Sequence, residues 1–258
     1  MPIHSLASVS WPTFAALATR PLIAIIPLGA IEAHGPHLPL GTDVVIAQAM
    51  ADAGAERLSA RGFEVVVLPP LFAAPAPFAA AFAGTIDTAP DATTTIIGGI
   101  ARSLGHHGAR ATVIANAHHD PAHVAAIRAA VQQIEREQGP PLVFPDLTRR
   151  RWASRLTEEF QSGACHAGRY ETSIVMAAAP QTVAMERMRT LNANLRSLVA
   201  AIERGERTFE EAGGPDAYFG APADANAAEG HEIIGRLGDI IADAVMEVLG
   251  SHADCQST

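Results

Sequence analysis

Apolar and polar positions fall into a repeating rhythm over the first half of the chain. Leu22–Leu28 is a short, unbroken apolar run rich in isoleucine, the composition of a strand covered on both faces. Asp43–Arg61 follows with Val44, Ala47, Met50 and Ala51 at helical spacing and a stop at Gly62. Phe63–Leu68 reads as a second strand, closed by Pro69 and Pro70. Residues 71–88 form a loop of Ala, Pro and Phe that ends Phe82-Ala83-Gly84-Thr85. Asp91–Leu104 reads as a helix and Ala111–Ala115 as a third strand, running straight into Asn116-Ala117-His118-His119-Asp120. Pro121 suits the opening turn of a helix that continues to about Glu137, and Leu142–Phe144 is a fourth strand.

This alternation predicts an α/β fold, a three-layer α/β/α sandwich with a mostly parallel central sheet. Beyond it, residues 149–161 read as a charged helix, Glu171–Ala179 as an apolar one and Asn192–Phe209 as a surface helix. Gly213–Gly220 is turn-rich, and His231–Leu249 is an amphipathic closing helix. No repeat, low-complexity linker or composition break divides the chain, so residues 1–258 are expected to form a single domain.

Chemistry concentrates at two of the expected strand ends. Residues 32–43 read Glu-Ala-His-Gly-Pro-His-Leu-Pro-Leu-Gly-Thr-Asp, and residues 116–120 add Asn, two imidazoles and a carboxylate. Glu32, His34, Asp43, His118 and Asp120 are ligand types that divalent transition metals select. Loops at the carboxyl ends of parallel strands open onto one crevice, so the two clusters can meet there. Together they exceed the needs of one tetrahedral ion and suit two neighbouring ions. Asp43 and Asp120 also have a plainer reading as helix caps. His4, His106 and His107 read as solvated side chains. A third polar stretch, His166-Ala167-Gly168-Arg169-Tyr170-Glu171-Thr172-Ser173, precedes an apolar helix and offers a base or a further ligand.

The bulk numbers narrow the function classes. With 48% apolar and 17% charged residues the chain has the composition of a globular protein. A net charge of −9 disfavours nucleic acid and anionic membranes as partners. Cys165 and Cys255 do not make a disulfide framework, and the first twenty residues lack a secretory pattern, so a cytoplasmic location is expected.

Three blocks together resemble the creatininase (creatinine amidohydrolase) family: Pro27 to Asp43, then Asn116-Ala117-His118, then His166 to Ser173. Gly220-Ala221-Pro222 followed by Glu229-Gly230 is similar to the family's C-terminal pattern. The resemblance implies a single α/β/α domain, a homo-oligomer (a hexamer built from dimers), and two zinc or manganese ions per subunit, with iron possible. By position, Glu32 and His118 would bind one ion, His34 the other, and Asp43 would bridge. Either Asp120 or Glu171 would complete the set. His166 falls where the family's creatininase has its proton-transferring histidine.

The departures touch the substrate wall. Ala117, His119, Asp120 and Pro121 replace parts of the family's second block. Phe78 and Ala79 stand where many relatives carry Glu-His, and Ser162 stands where creatininase has a tryptophan that packs on its substrate. The expected activity is therefore hydrolysis of a non-peptide carbon–nitrogen bond in a small cyclic amide or formamide other than creatinine. Two alternatives stay open within catalysis, a lactone or keto-sugar hydrolase and a precursor-peptide peptidase. A third is a metal-binding scaffold with a degenerate site. His119 is expected to contact the small-molecule substrate. His37 and Asn116 are expected to orient ligands.

Overall fold

The structure is a computed structural model that describes residues 3–255, with side-chain surroundings through Gly250. Five strands build one sheet in the order β1-β3-β2-β4-β5, with every pairing parallel. These are β1 (Ile3–Ser5), β2 (Leu22–Leu28), β3 (Glu64–Val67), β4 (Ala109–Asn116) and β5 (Leu142–Val143). The helices that cover it are α1 (Trp11–Leu17), α2 (Thr42–Ala60), α3 (Pro90–His106) and α4 (Pro121–Arg136). They are followed by α5 (Arg150–Ala153), α6 (Glu158–Ser162), α7 (Arg169–Ala178), α8 (Met185–Met188), α9 (Leu198–Glu203) and α10 (Ala227–Cys255).

β2 shows why the apolar run is unbroken. Ile23 and Ile25 pack with Val65, Val113 and the inner faces of α2, α7 and α10. Leu22, Ala24 and Ile26 point the other way, towards Val66, Leu104 and Phe14, and Leu28 joins Ile97 and Ile127 of α3 and α4. A strand residue alternates faces, so a strand with both faces covered must be apolar throughout. The expected sandwich with helices on both faces is what these residues form.

The strand order fixes the site. From β2 the chain crosses to β3 on one side, then returns past β2 to β4. The order reverses between β2 and β4, which is where a parallel sheet leaves a crevice at its carboxyl edge. Leu28 pairs with Asn116 at that edge, and the Ala117 amide donates to the Leu28 carbonyl at 3.0 Å. The loops that follow the two strands therefore leave the sheet side by side.

Three expectations differ in detail. Residues 149–161 split into α5 and α6, because the Thr157 side chain caps a fresh helix by accepting from the Phe160 amide. Of the helix expected over Asn192–Phe209 only α9 forms. Asn194 is held instead in a backbone bridge with Gly220, and its Nδ2 donates to the Gly213 and Tyr218 carbonyls. Ser197 then caps α9, and Gly205, with φ of 91°, ends it. The strand and helix before Leu22, β1 and α1, lack a periodic pattern and were not expected. Among the described residues no helix is long and apolar enough to cross a membrane.

α10 packs on α7 at a point where a side chain does not fit. A Cβ at Gly230 would lie 1.9 Å from the Ser173 carbonyl oxygen. Gly230→Ala is expected to cost about 2–3 kcal/mol by overpacking. Gly99, on an exposed face of α3 with nothing within 4 Å, serves as the opposite case. Gly99→Ala should stabilise by about 0.5–1 kcal/mol through helix propensity. Thermal unfolding of both variants, with shifts of opposite sign, checks the packing.

Candidate metal centre

Six side chains from three segments converge beyond the carboxyl ends of β2 and β4, and all six are buried: Glu32, His34, Asp43, His118, His166 and Glu171. Glu32 and His34 stand on the loop after β2, in a backbone pinned by the Glu32 amide on the Leu40 carbonyl at 3.0 Å. Gly35 turns that loop with φ of 63°, and a Cβ there would meet His37 at 2.8 Å, so the turn needs glycine. Asp43 lies in the first turn of α2, and His118 follows β4 directly.

His166 and Glu171 flank the start of α7. Between them Ala167 adopts a left-handed backbone, φ 50°, while fully buried. Such strain in a non-glycine residue persists only where its surroundings impose it. Here the turn lets the Ala167 amide donate to Glu171 Oε2 at 2.6 Å. Glu159 secures the same helix start, accepting from the Tyr170 amide at 2.8 Å and the Ala221 amide at 2.9 Å.

The three central imidazoles share one arrangement. His34 donates from Nδ1 to the Glu32 carbonyl at 3.1 Å. His118 donates from Nε2 to the Pro75 carbonyl at 2.8 Å, and His166 from Nε2 to the Ala33 carbonyl at 2.9 Å. A carbonyl can only accept, so each ring keeps its proton on the outer nitrogen and turns the other inward. A backbone anchor of this kind is how metal-binding histidines are oriented.

The inward nitrogens face carboxylates. His118 Nδ1 lies 3.1 Å from Glu32 Oε1 and 3.0 Å from Asp43 Oδ2. His34 Nε2 lies 3.1 Å from Asp43 Oδ1, 3.7 Å from Glu171 Oε2 and 3.9 Å from Glu32 Oε1. Ligand atoms of Glu32, Asp43 and His118 all fall within 4.8 Å of one another, and so do those of His34, Asp43 and Glu171. Asp43 belongs to both groups, one oxygen turned to each. His166 makes a further group with Glu32 and His34; its Nδ1 is 3.9 Å from Glu32 Oε1.

Metal ions suit this donor set. Asp43 Oδ2 is buried and has no hydrogen-bond partner, although an imidazole nitrogen is 3.0 Å away. A buried carboxylate oxygen left in that state is costly unless a cation meets it. Without metal, protons take the cation's place. Burial opposes charge on His34, but Asp43, then Glu171 and Glu32, outweigh it and raise the imidazole to about 10. Burial likewise opposes charge on His118, and Glu32 and Asp43 again win, holding it well above the usual range. Glu171 is pushed up to about 8, mainly by burial. His166 goes the other way, down to about 4, through burial and the neighbouring His34.

The remaining expected residues lie around this core. Asp120 belongs to none of the three ligand groups. It caps α4, accepting from the Ala122 amide at 2.8 Å through Oδ1, with Oδ2 near the Phe78 amide. Asn116 donates to the His118 carbonyl at 2.6 Å and so shapes the loop that carries this imidazole. His37 sits behind the site, its Nε2 2.9 Å from Thr172 Oγ1 on α7. His119 is half-buried on the cavity wall, edge-on to Phe160 with ring centres 5.7 Å apart, and its Nε2 has no partner. Ser162 bonds only within its own helix end, through the Glu159 carbonyl and the Ala164 amide.

Two contributors were not singled out in the sequence. His123, fully buried on α4, lies beside the His118 ring, centres 4.9 Å apart, and donates from Nε2 to Asn116 Oδ1. Phe209 packs on His166 with ring centres 4.3 Å apart, opposite His34 at 4.4 Å. His166 is thus held between two rings. The third histidine after β4 was a usable signal for His123; nothing local marked Phe209.

Comparison with known proteins agrees with the geometry. The sequence profile of the family described as creatinine amidohydrolase matches residues 7–245. A protein of Mycobacterium tuberculosis named mycofactocin precursor peptide peptidase is 34% identical over 229 residues, covering 86% of this chain and 83% of that one. One of the same name from Mycobacterium ulcerans is 32% identical over 220 residues, covering 83% and 81%. Among solved structures, a creatinine amidohydrolase superposes with a TM-score of 0.71 at 23% identity, over 94% of this chain and 96% of that one. One described as "Creatininase Mn" gives 0.72 at 22% identity, over 95% and 98%.

A cation entering this site must displace the protons that now stand in for it. Zinc binding at neutral pH is expected to release about two protons per chain, from His34 and His118, with more from Glu171. Calorimetric titration in buffers of different ionisation enthalpy measures this. The release should fall as pH rises towards the raised imidazole values, and heats that do not depend on the buffer would contradict the assignment.

Proposed function

Because this chain belongs to the creatininase family, we propose that it is a two-cation hydrolase that cleaves an amide carbon–nitrogen bond in a peptide-like substrate. The observation that carries the reading is Asp43, whose two oxygens face the inward nitrogens of His34 and His118. Glu32, Asp43 and His118 would hold one ion, and His34, Asp43 and Glu171 the other. The family's solved structures, one described with manganese and one as "Zn-Zn type", support zinc or manganese as the occupant. When bound, such ions acidify a water molecule and polarise the amide carbonyl.

The chain's own residues supply the proton path. His166 is neutral at working pH, fixed by its Nε2–H on Ala33, with Nδ1 turned towards Glu32. It takes a proton from the attacking water as the carbon–oxygen bond forms. It returns that proton to the leaving nitrogen as the carbon–nitrogen bond breaks. The rings of His34 and Phe209 keep the imidazole in one orientation through both transfers. The apolar walls, Phe78, Leu198, Ile202 and Phe209, exclude bulk water.

The names of the mycobacterial relatives support a peptide substrate over the small cyclic amide expected from the family resemblance. The second reading, a small cyclic amide or formamide, is favoured by the modest size of the metal cavity, about 70 Å³. Short peptides, hydantoins, formamides, lactones and creatinine assayed side by side separate the two.

Removing metal with a chelator should abolish turnover, and zinc or manganese should restore it. Glu171→Gln is expected to lose about one of two bound ions, whereas Asp120→Asn keeps both. His166→Gln should keep both ions and lose turnover by about 10²–10³-fold. Metal content by mass spectrometry beside kcat reads all three. Less than one ion per chain with no hydrolysis would favour a degenerate scaffold.

A further inference from the structure

The metal cavity is not closed. His119, Pro121, Cys165, Leu198 and Ile202 line it and also line a larger groove of about 410 Å³ that leads away from Glu32, Asp43 and Glu171. The groove runs between α4, α6 and α9, over Val124, Leu147, Phe160 and Val199. α9 is fixed as its wall: the Leu198 amide donates to the Gly163 carbonyl at 2.8 Å, and the Ser197 hydroxyl caps the helix.

The chemistry of the walls selects an occupant. Val124, Leu147, Phe160, Leu198 and Ile202 offer no partner to a charged group; Thr148 and Gln161 are bonded to Asp146 and the Leu156 carbonyl, and Glu203, exposed at the end of α9, repels an anionic side chain. Arg128, at the far end, is already committed to Asp146 through Nε at 2.9 Å and Nη2 at 2.5 Å. Val199 is 52% exposed, apolar surface that gains by being covered. At the junction with the metal cavity sits His119, whose buried Nε2 lacks a hydrogen-bond partner. The volume takes a large side chain with its flanking backbone.

We propose that this groove is a specificity pocket that receives a bulky apolar residue next to the scissile amide, with His119 Nε2 bonding that residue's backbone. The assignment rests on the amidohydrolase reading for the identity of the scissile bond. It makes residue preference a property of α9 and Phe160 rather than of the ions.

Binding tests it apart from turnover. The metal-loaded protein is titrated calorimetrically with N-acetyl-phenylalaninamide, N-acetyl-alaninamide and N-acetyl-aspartic acid α-amide. The phenylalanine compound should bind at least about tenfold more tightly than the other two. Val199→Glu should reduce that ratio to about threefold or less, while Phe72→Ala, on an exposed apolar residue outside the groove, should leave it unchanged. Equal binding of the three compounds, or a ratio untouched by Val199→Glu, would overturn the proposal. In parallel, dipeptides varied through Ala, Leu, Phe and Asp on each side of the bond are assayed for hydrolysis. Phe-selective binding that Val199→Glu removes, with no peptide hydrolysed, would sink the peptidase reading and leave the pocket standing.

Discussion

Glu32 and Asp43 press their carboxylates against one imidazole nitrogen, 3.1 and 3.0 Å away, and both side chains are buried. Two like charges so close in a low-dielectric interior are tolerable only with positive charge between them. The rest of the site answers to that constraint. His34 and His118 answer it, since these carboxylates hold both imidazoles well above the usual range. The carbonyls of Glu32, Pro75 and Ala33 fix which nitrogen of each ring is turned inward. The cluster is therefore organised without a cation, its imidazoles already oriented by backbone carbonyls.

The sheet makes this crowding possible. Every strand is parallel and both faces are covered, so backbone and core spend their hydrogen bonds and apolar surface on a rigid slab. The reversal of strand order at β2 and β4 then delivers two loops to one edge, locked by the Ala117 amide on Leu28. Position alone does not bring in the third segment. The strained turn at Ala167 and the Glu159 carboxylate, which ties Tyr170 to Ala221, set α7 so that Glu171 reaches His34 while His166 faces Glu32.

Much of this was legible in the residue order, for identifiable reasons. Leu22–Leu28 and Ala111–Ala115 announce themselves because a doubly covered strand has no polar positions. Glu32, His34, Asp43 and His118 stand out because polar groups at strand ends have few structural uses. Which of Asp120 and Glu171 lies among the clustered donor atoms was not legible, since it turns on where a backbone amide points: Ala122 claims Asp120 for a helix cap, and Glu171 joins His34 and Asp43. Asn192–Phe209 misled because its composition favours helix, while Asn194 is bound to Gly213, Tyr218 and Gly220 far along the chain. Phe209 was hidden for the same reason. Its partner His166 lies 43 positions away, and no local pattern encodes that contact.

α9 is a six-residue helix held by a cap and one backbone bond to Gly163, at some remove from the strands that carry Glu32 and His118. Changes there alter the mouth without touching the cage. A lineage could thus exchange Val199 or Glu203, which line the groove and not the inner cavity, and acquire new diets, all the while inheriting the same cluster of imidazoles and carboxylates. The fold separates what must stay from what may drift, and diversification has a cheap place to begin.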